Sequence, residues 1–240
     1  MTATFETPVR DIVTADFRTA AVFHTHRIDF CCGGAQPLDE ACRAAGANTT
    51  EVMDALTRAC AESSSTVPNF AVWTPEELLE YIVTKHHAYV REALPTIAAH
   101  TEKIARVHGG RHPELLEVNR LFDAVVDDMT SHMSKEEQVL FPFIAALAQA
   151  ETAKTPAPMA PFGPVENPIR MMEMEHETAG GALDRIRELT ADYREPADGC
   201  TTYAITLKEL EAFEQDLHAH VHLENNVLFP RAIELQRGLK

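Results

Sequence analysis

Asp128-Met-Thr-Ser-His-Met-Ser-Lys-Glu-Glu-Gln-Val-Leu-Phe-Pro142 and Asp216-Leu-His-Ala-His-Val-His-Leu-Glu-Asn-Asn-Val-Leu-Phe-Pro230 agree at seven of fifteen positions. The offset is 88 residues, and the agreement includes His132 with His220, Glu136 with Glu224 and the Val-Leu-Phe-Pro that closes each stretch. A His and a Glu four residues apart share one face of a helix and reach a common point. The duplication extends upstream. His87 and His176 each stand 44 or 45 residues before the His of their own motif, so a whole helix pair is repeated and a bundle with pseudo-two-fold symmetry is expected.

That face reads as buried. His132 lies in the stripe Val125, Met129, His132, Glu136, Val139, Phe143, and His220 in Phe213, Leu217, His220, Glu224, Val227. His176 follows Ile169 and Met172 and precedes Ala179 and Leu183, while His87 sits among Val83, Val90 and Leu94. Four imidazoles and two carboxylates in an apolar interior are costly unless a cation neutralises them. Six ligands with two carboxylates suit a bridged metal pair, each ion taking two His and sharing both Glu. Mixed nitrogen and oxygen ligation fits iron, manganese or zinc, and the stripe holds no Cys, which argues against a soft site. Two iron ions are the expectation, with His86 a neighbouring competitor of His87.

Around the motifs the chain reads as helix. Thr74-Pro75-Glu76-Glu77 joins an N-cap, a Pro at the first helical position and a Glu at the third, a strong start. Long helices are expected from there to about Val107, from Pro113 to about Ala150, from Asn167 to about Tyr193 and from Thr201 to about Gln236. Four prolines between Thr152 and Pro164 exclude helix there. Upstream, short helical segments follow Pro8, Arg18, Leu38 and Asn48, broken at Gly33-Gly34 and Gly46. The polar run Glu62-Ser-Ser-Ser-Thr-Val-Pro-Asn69 is the linker candidate. An all-α fold is expected, with a small helical domain at 1–62, a linker at 63–73 and a four-helix bundle at 74–240.

Composition narrows the function. With 21 Lys and Arg against 37 Asp and Glu the formal charge is −16, which opposes nucleic-acid binding and attachment to anionic membranes. No apolar run approaches the length of a membrane span, and Met1 to Arg10 shows no secretory pattern. The odd count of five cysteines, with Cys31 and Cys32 adjacent, fits a reducing compartment rather than a disulfide framework. A cytoplasmic protein is expected.

The motifs Asp29-Phe-Cys-Cys-Gly-Gly34, Ser131-His-Met-Ser-Lys-Glu-Glu137, Glu175-His-Glu-Thr-Ala-Gly180 and Leu223-Glu-Asn-Asn-Val-Leu-Phe-Pro230 resemble those of the hemerythrin-like di-iron proteins that repair iron centres. The resemblance covers nearly the whole chain. It implies iron ligands at His87, His132, His176 and His220, bridging carboxylates at Glu136 and Glu224, an oxo-bridged di-iron centre and a homodimer. It also implies repair of iron-sulfur clusters damaged by nitric oxide or oxidants, with damaged iron-sulfur proteins as partners. Oxygen-carrying relatives have a further His one turn after the third-helix ligand, where this chain has Gly180; fewer protein ligands leave positions open to small molecules.

Cys31 and Cys32 are the second candidate for chemistry, as acceptors of iron or nitrosyl. The preceding His24, His26 and Arg27 are expected to favour thiolate. Asp128 and Asp216, one turn before each motif His, are candidates to hold the ligand imidazoles. Besides cluster repair, a di-iron nitric oxide or peroxide reductase and an oxygen-sensing or iron-storing module share these residues. Turnover with an electron donor distinguishes the first of these two, and reversible oxygen binding the second.

Overall fold

The N–H of Thr74 donates to Glu77 Oε2 at 2.7 Å and the N–H of Glu77 to Thr74 Oγ1 at 3.2 Å, the reciprocal capping box that the sequence predicts. It starts the first α-helix after the expected linker, in a chain described, in a computed structural model, over residues 3–61 and 68–239. Residues 63–67 of the expected linker lie outside the described residues. The fold is all-α: among the described residues the only β pairing is an isolated bridge between Pro8 and Pro37.

In chain order the helices are α1 Val9–Ala15, α2 Thr19–Thr25, α3 Leu38–Ala44, α4 Thr49–Ala61, α5 Pro75–Tyr81, α6 Ala88–His108, α7 Glu114–Lys135, α8 Phe141–Ala153, α9 Glu166–Leu189, α10 Thr201–Leu223 and α11 Phe229–Gly238. Three junctions are π turns: Ile82–His87 between α5 and α6, Glu136–Leu140 between α7 and α8, and Glu224–Leu228 between α10 and α11. In each the backbone bond spans five residues, as from Phe141 N–H to the Glu136 carbonyl and from Phe229 N–H to that of Glu224. The prolines that follow at 142 and 230 bring no N–H of their own.

The chain divides into two compact units, one of Met1–Leu79, Leu147–Ala157 and His218–Lys240, the other of Glu80–Ala146 and Pro158–Leu217. In the first, Asn48 Oδ1 accepts from the N–H groups of Thr50 and Glu51 to start α4, and Gly46 ends α3 with a φ of +67° that suits glycine. Phe23, Leu38, Val52 and Leu56 fill its interior. A Cβ at Gly34 would stand 2.4 Å from the Phe30 carbonyl oxygen, so only glycine fits after the vicinal cysteines. His222 is buried here, its Nδ1 3.2 Å from the Phe30 carbonyl and its Nε2 3.3 Å from Thr14 Oγ1. Arg231 donates to the carbonyls of Phe70, Ala71 and Trp73. Neither His222 nor Arg231 is among the positions the two copies share, so the duplication points to neither.

In the second unit α6 packs on α7 and α7 on α9. Phe213 of α10 meets the Phe122 ring edge-on at 5.5 Å and Tyr89 at 6.4 Å. The stripe around His176 is buried as predicted, from Ile169 through Leu183. That around His132 needs correction: Val139 is 47% exposed while Leu140 is buried. Val227, the matching position in the second π turn, is buried, and so is Phe143, so the exposure of Val139 belongs to its own half of the repeat rather than to the turn. The third helix also ends earlier than expected, at Leu189 rather than Tyr193, because Ala191, Asp192 and Tyr193 all take left-handed φ angles of 50° to 68° that no helix of L-residues continues. Arg187 braces this turn, lying 5.4 Å from the Tyr193 ring centre and 3.3 Å from Asp192 Oδ1.

Candidate metal centre

Glu136 opens the second π turn with its side chain fully buried, and among the described residues neither of its oxygens takes a hydrogen bond. Two imidazole nitrogens face it, His87 Nε2 at 3.3 Å and His132 Nε2 at 3.4 Å. The opposite nitrogens of both rings are held by carboxylates: His87 Nδ1 lies 2.6 Å from Glu137 Oε1 and His132 Nδ1 2.9 Å from Glu175 Oε2. Each carboxylate accepts a hydrogen bond from Nδ1–H, which leaves the Nε2 lone pair aimed inward. His176 Nε2 stands 3.0 Å from His132 Nε2. Two nitrogens each about 2.1 Å from one ion and at right angles lie about 3 Å apart, which is the separation seen here.

On α10 and the π turn after it, His220 Nε2 lies 2.9 Å from Glu224 Oε1, both side chains fully buried. Two overlapping groups result, each offering donor atoms within 4.8 Å of one another: His87, Glu136, His220 and Glu224, and His132, Glu136, His176 and Glu224. The two carboxylates are common to both groups. The donor set is one that cations of intermediate hardness take, and the buried carboxylate without a proton donor is what a cation would compensate. These residues fit a pair of metal ions.

The groups behind the imidazoles differ from those expected. Asp128 is exposed on α7, and Asp216 meets His86 Nδ1 at 3.0 Å rather than a ring of the cluster. His86 thereby turns toward Asp216 and the Tyr81 ring, and His87 alone of the pair joins the cluster. Glu137 and Glu175 come instead from neighbouring helices, which a one-helix reading of spacing does not pair. Burial works against their charge, yet hydrogen bonds from His87 and Arg91 to Glu137, and from Lys135 and His132 to Glu175, hold both carboxyls below the usual range.

The vicinal cysteines form a tight turn. Asp29 accepts from the N–H groups of Cys31, Cys32 and Gly33 at 2.7 to 3.0 Å, and Asn226 donates to the Phe30 and Cys31 carbonyls at 3.3 and 2.9 Å. Cys32 is exposed and Cys31 buried. The thiolate expected at Cys31 is not favoured: its hydrogen bond with Cys32, burial and the nearby Asp29 carboxylate push that thiol well above the ordinary value.

Residues 78–232 match the family model of the hemerythrin HHE cation-binding domain. Residues 5–60 match a second model, ScdA_N, described as a Domain of Unknown function (DUF542). A probable iron-sulfur cluster repair protein of Haemophilus influenzae is 33% identical over 88% of this chain and 90% of its own length. The iron-sulfur cluster repair proteins YtfE of Musicola paradisiaca and Yersinia pseudotuberculosis are 33% and 32% identical, over 95% and 90% of this chain and 96% and 91% of their own lengths. With both domains matched in order and along nearly the full length, the chain belongs to the hemerythrin-type iron-sulfur cluster repair protein family. None of its described helices is long and apolar enough to cross a membrane.

Proposed function

We propose that this protein holds two iron ions on His87, His132, Glu136, His176, His220 and Glu224 and repairs iron-sulfur clusters damaged by nitric oxide or oxidants. The observation that carries the reading is that Glu136 and Glu224 are common to two four-residue groups, each completed by two different imidazoles. A shared carboxylate pair is what a bridged, two-ion centre needs. When bound, the irons supply a place for nitric oxide or an oxidant to be taken up and a store from which iron is donated. The chain's own part is to orient the rings: Glu137 fixes His87, Glu175 fixes His132, and Gly180 leaves open space where a further His would project.

The division into a helical domain at 1–62, a linker at 63–73 and a bundle at 74–240 belongs to this proposal and is supported by the spans of the two family matches. The five cysteines are free, which suits a reducing cytoplasm, and there the protein works as a homodimer on damaged iron-sulfur proteins. Purified protein from iron-rich medium is expected to carry about two irons per chain, antiferromagnetically coupled through an oxo bridge and EPR-silent when oxidised. One metal per chain, or zinc alone, overturns the reading.

Cys31 and Cys32 take the role of passing iron or nitrosyl from a nitrogen and oxygen site to sulfur ligands. Support comes from the Asn226 amide, which ties the cysteine turn to the segment beginning at Glu224. The double substitution Cys31→Ala with Cys32→Ala is expected to slow reactivation of a nitric-oxide-damaged iron-sulfur enzyme by roughly tenfold with iron content and optical spectrum unchanged. Equal reactivation by both proteins, at matched iron, removes the relay.

A further inference from the structure

Cys200 lies immediately before α10, outside every motif discussed above, with an exposed thiol. Its sulfur is 3.2 Å from Nε2 of His108, a ring 5% exposed at the end of α6. The other nitrogen of that ring, Nδ1, is buried and meets no partner among the described residues. A buried N–H without an acceptor is rarer and costlier than a bare acceptor nitrogen. The proton of His108 therefore belongs on Nε2, where it points at the sulfur and stabilises negative charge there.

Backbone N–H groups at the start of the 23-residue α10 add to this. The Tyr203 N–H above all, then the Thr202 N–H and hydroxyl, bring the Cys200 thiol below its ordinary value against the opposing effect of burial. The charged and titratable groups around the pair are balanced. His112 sits between Asp198 at 3.0 Å and Glu114 at 3.1 Å, Arg111 meets Asp198 at 3.1 Å, and the Tyr203 ring meets His108 tilted and His112 edge-on, its hydroxyl pushed up to about 12 by burial and the two carboxylates.

We propose that Cys200 and His108 form a reactive thiol site that takes low-molecular-weight disulfides by exchange. The Cys200 thiol loses its proton to solvent, and the thiolate attacks one sulfur of the disulfide. A new bond to Cys200 forms as the bond between the two halves breaks, and the departing thiolate takes up a proton. No electrons are gained or lost overall: one thiol and one disulfide become a mixed disulfide and a new thiol. The site shares no residue with the proposed metal centre, so its failure leaves the iron reading untouched.

The test uses the full chain, reduced, at pH 7, with a limiting amount of the uncharged bis(2-hydroxyethyl) disulfide, acid quench and peptide mass analysis. Cys60 is the internal standard: it is exposed too, but burial and Asp16 push its thiol up. Cys200 is expected to react about tenfold faster than Cys60, and His108→Leu to slow Cys200 by roughly three- to tenfold with Cys60 unchanged. Buried Cys42 reports on folding. Should it become reactive in His108→Leu, the unsubstituted protein decides, its Cys200 alkylation by iodoacetamide being half-maximal at a lower pH than that of Cys60. Equal rates at Cys200 and Cys60, a rate at Cys200 indifferent to His108 in a folded variant, or coincident pH profiles overturn the proposal.

Discussion

Glu136→Ala protein is expected to lose the paired metal centre altogether, falling from about two ions per chain to one or none, and Glu224→Ala to do the same. Each carboxylate belongs to both donor groups, so its removal weakens both positions at once, and the six-donor set is left with a single acidic group to offset two cations. Glu175→Gln is the intermediate case. It spares the donors but loosens the carboxylate grip on His132 Nδ1, a change that costs about 10- to 100-fold in metal affinity. Asp128→Ala, on an exposed side chain, is expected to bind as the parent does. Metal analysis after dialysis against a weak chelator orders the four proteins. Iron contents that do not separate Glu136→Ala from Asp128→Ala remove Glu136 from the centre.

The second large effect concerns stability. Arg187 of α9 grips Glu214 of α10 with two parallel bonds, Nε to Oε1 at 3.0 Å and Nη2 to Oε2, and Glu214 is fully buried. Arg187→Met strands that carboxylate in the interior, and breaking a buried pair from one side costs about 3–5 kcal/mol. The same substitution releases the brace on the left-handed turn at Ala191, Asp192 and Tyr193. Arg187→Met with Glu214→Leu removes both charges and is expected to recover most of the loss. Urea unfolding of the three proteins measures this. A double variant as unstable as the single one places the cost in the turn rather than in the stranded charge.

What the sequence made legible was whatever repeats or caps locally. The His and Glu pairs at 132/136 and 220/224 stood out because two copies share one spacing, and the starts of α4 and α5 because Asn48, Thr74 and Glu77 bond within three residues of themselves. Contacts between helices were not legible in the same way. Glu175 reaches His132 across 43 positions and Glu137 reaches His87 across 50, and nothing in either helix's own periodicity points to its partner. Asp216 has the spacing of a support for His220 but spends its bond on His86. Arg187 and Glu214 read as ordinary charged positions until α9 and α10 are placed side by side. The exposed Val139 shows the other limit: it repeats the position of the buried Val227, and nothing in the shared Val-Leu-Phe-Pro separates the two.

Two of the π turns are also part of what is repeated. A π turn is what an α-helix becomes when one residue is added without disturbing its ends. The additions at Glu136–Leu140 and Glu224–Leu228 fall at the same place in the two halves, each starting on the shared carboxylate and running into Phe-Pro. Two separate insertions of one codon at matching positions are a less economical history than a single insertion copied once. On that count the widened turn belongs to the repeated unit itself, so each copy presents its Glu from the same irregular stretch of backbone.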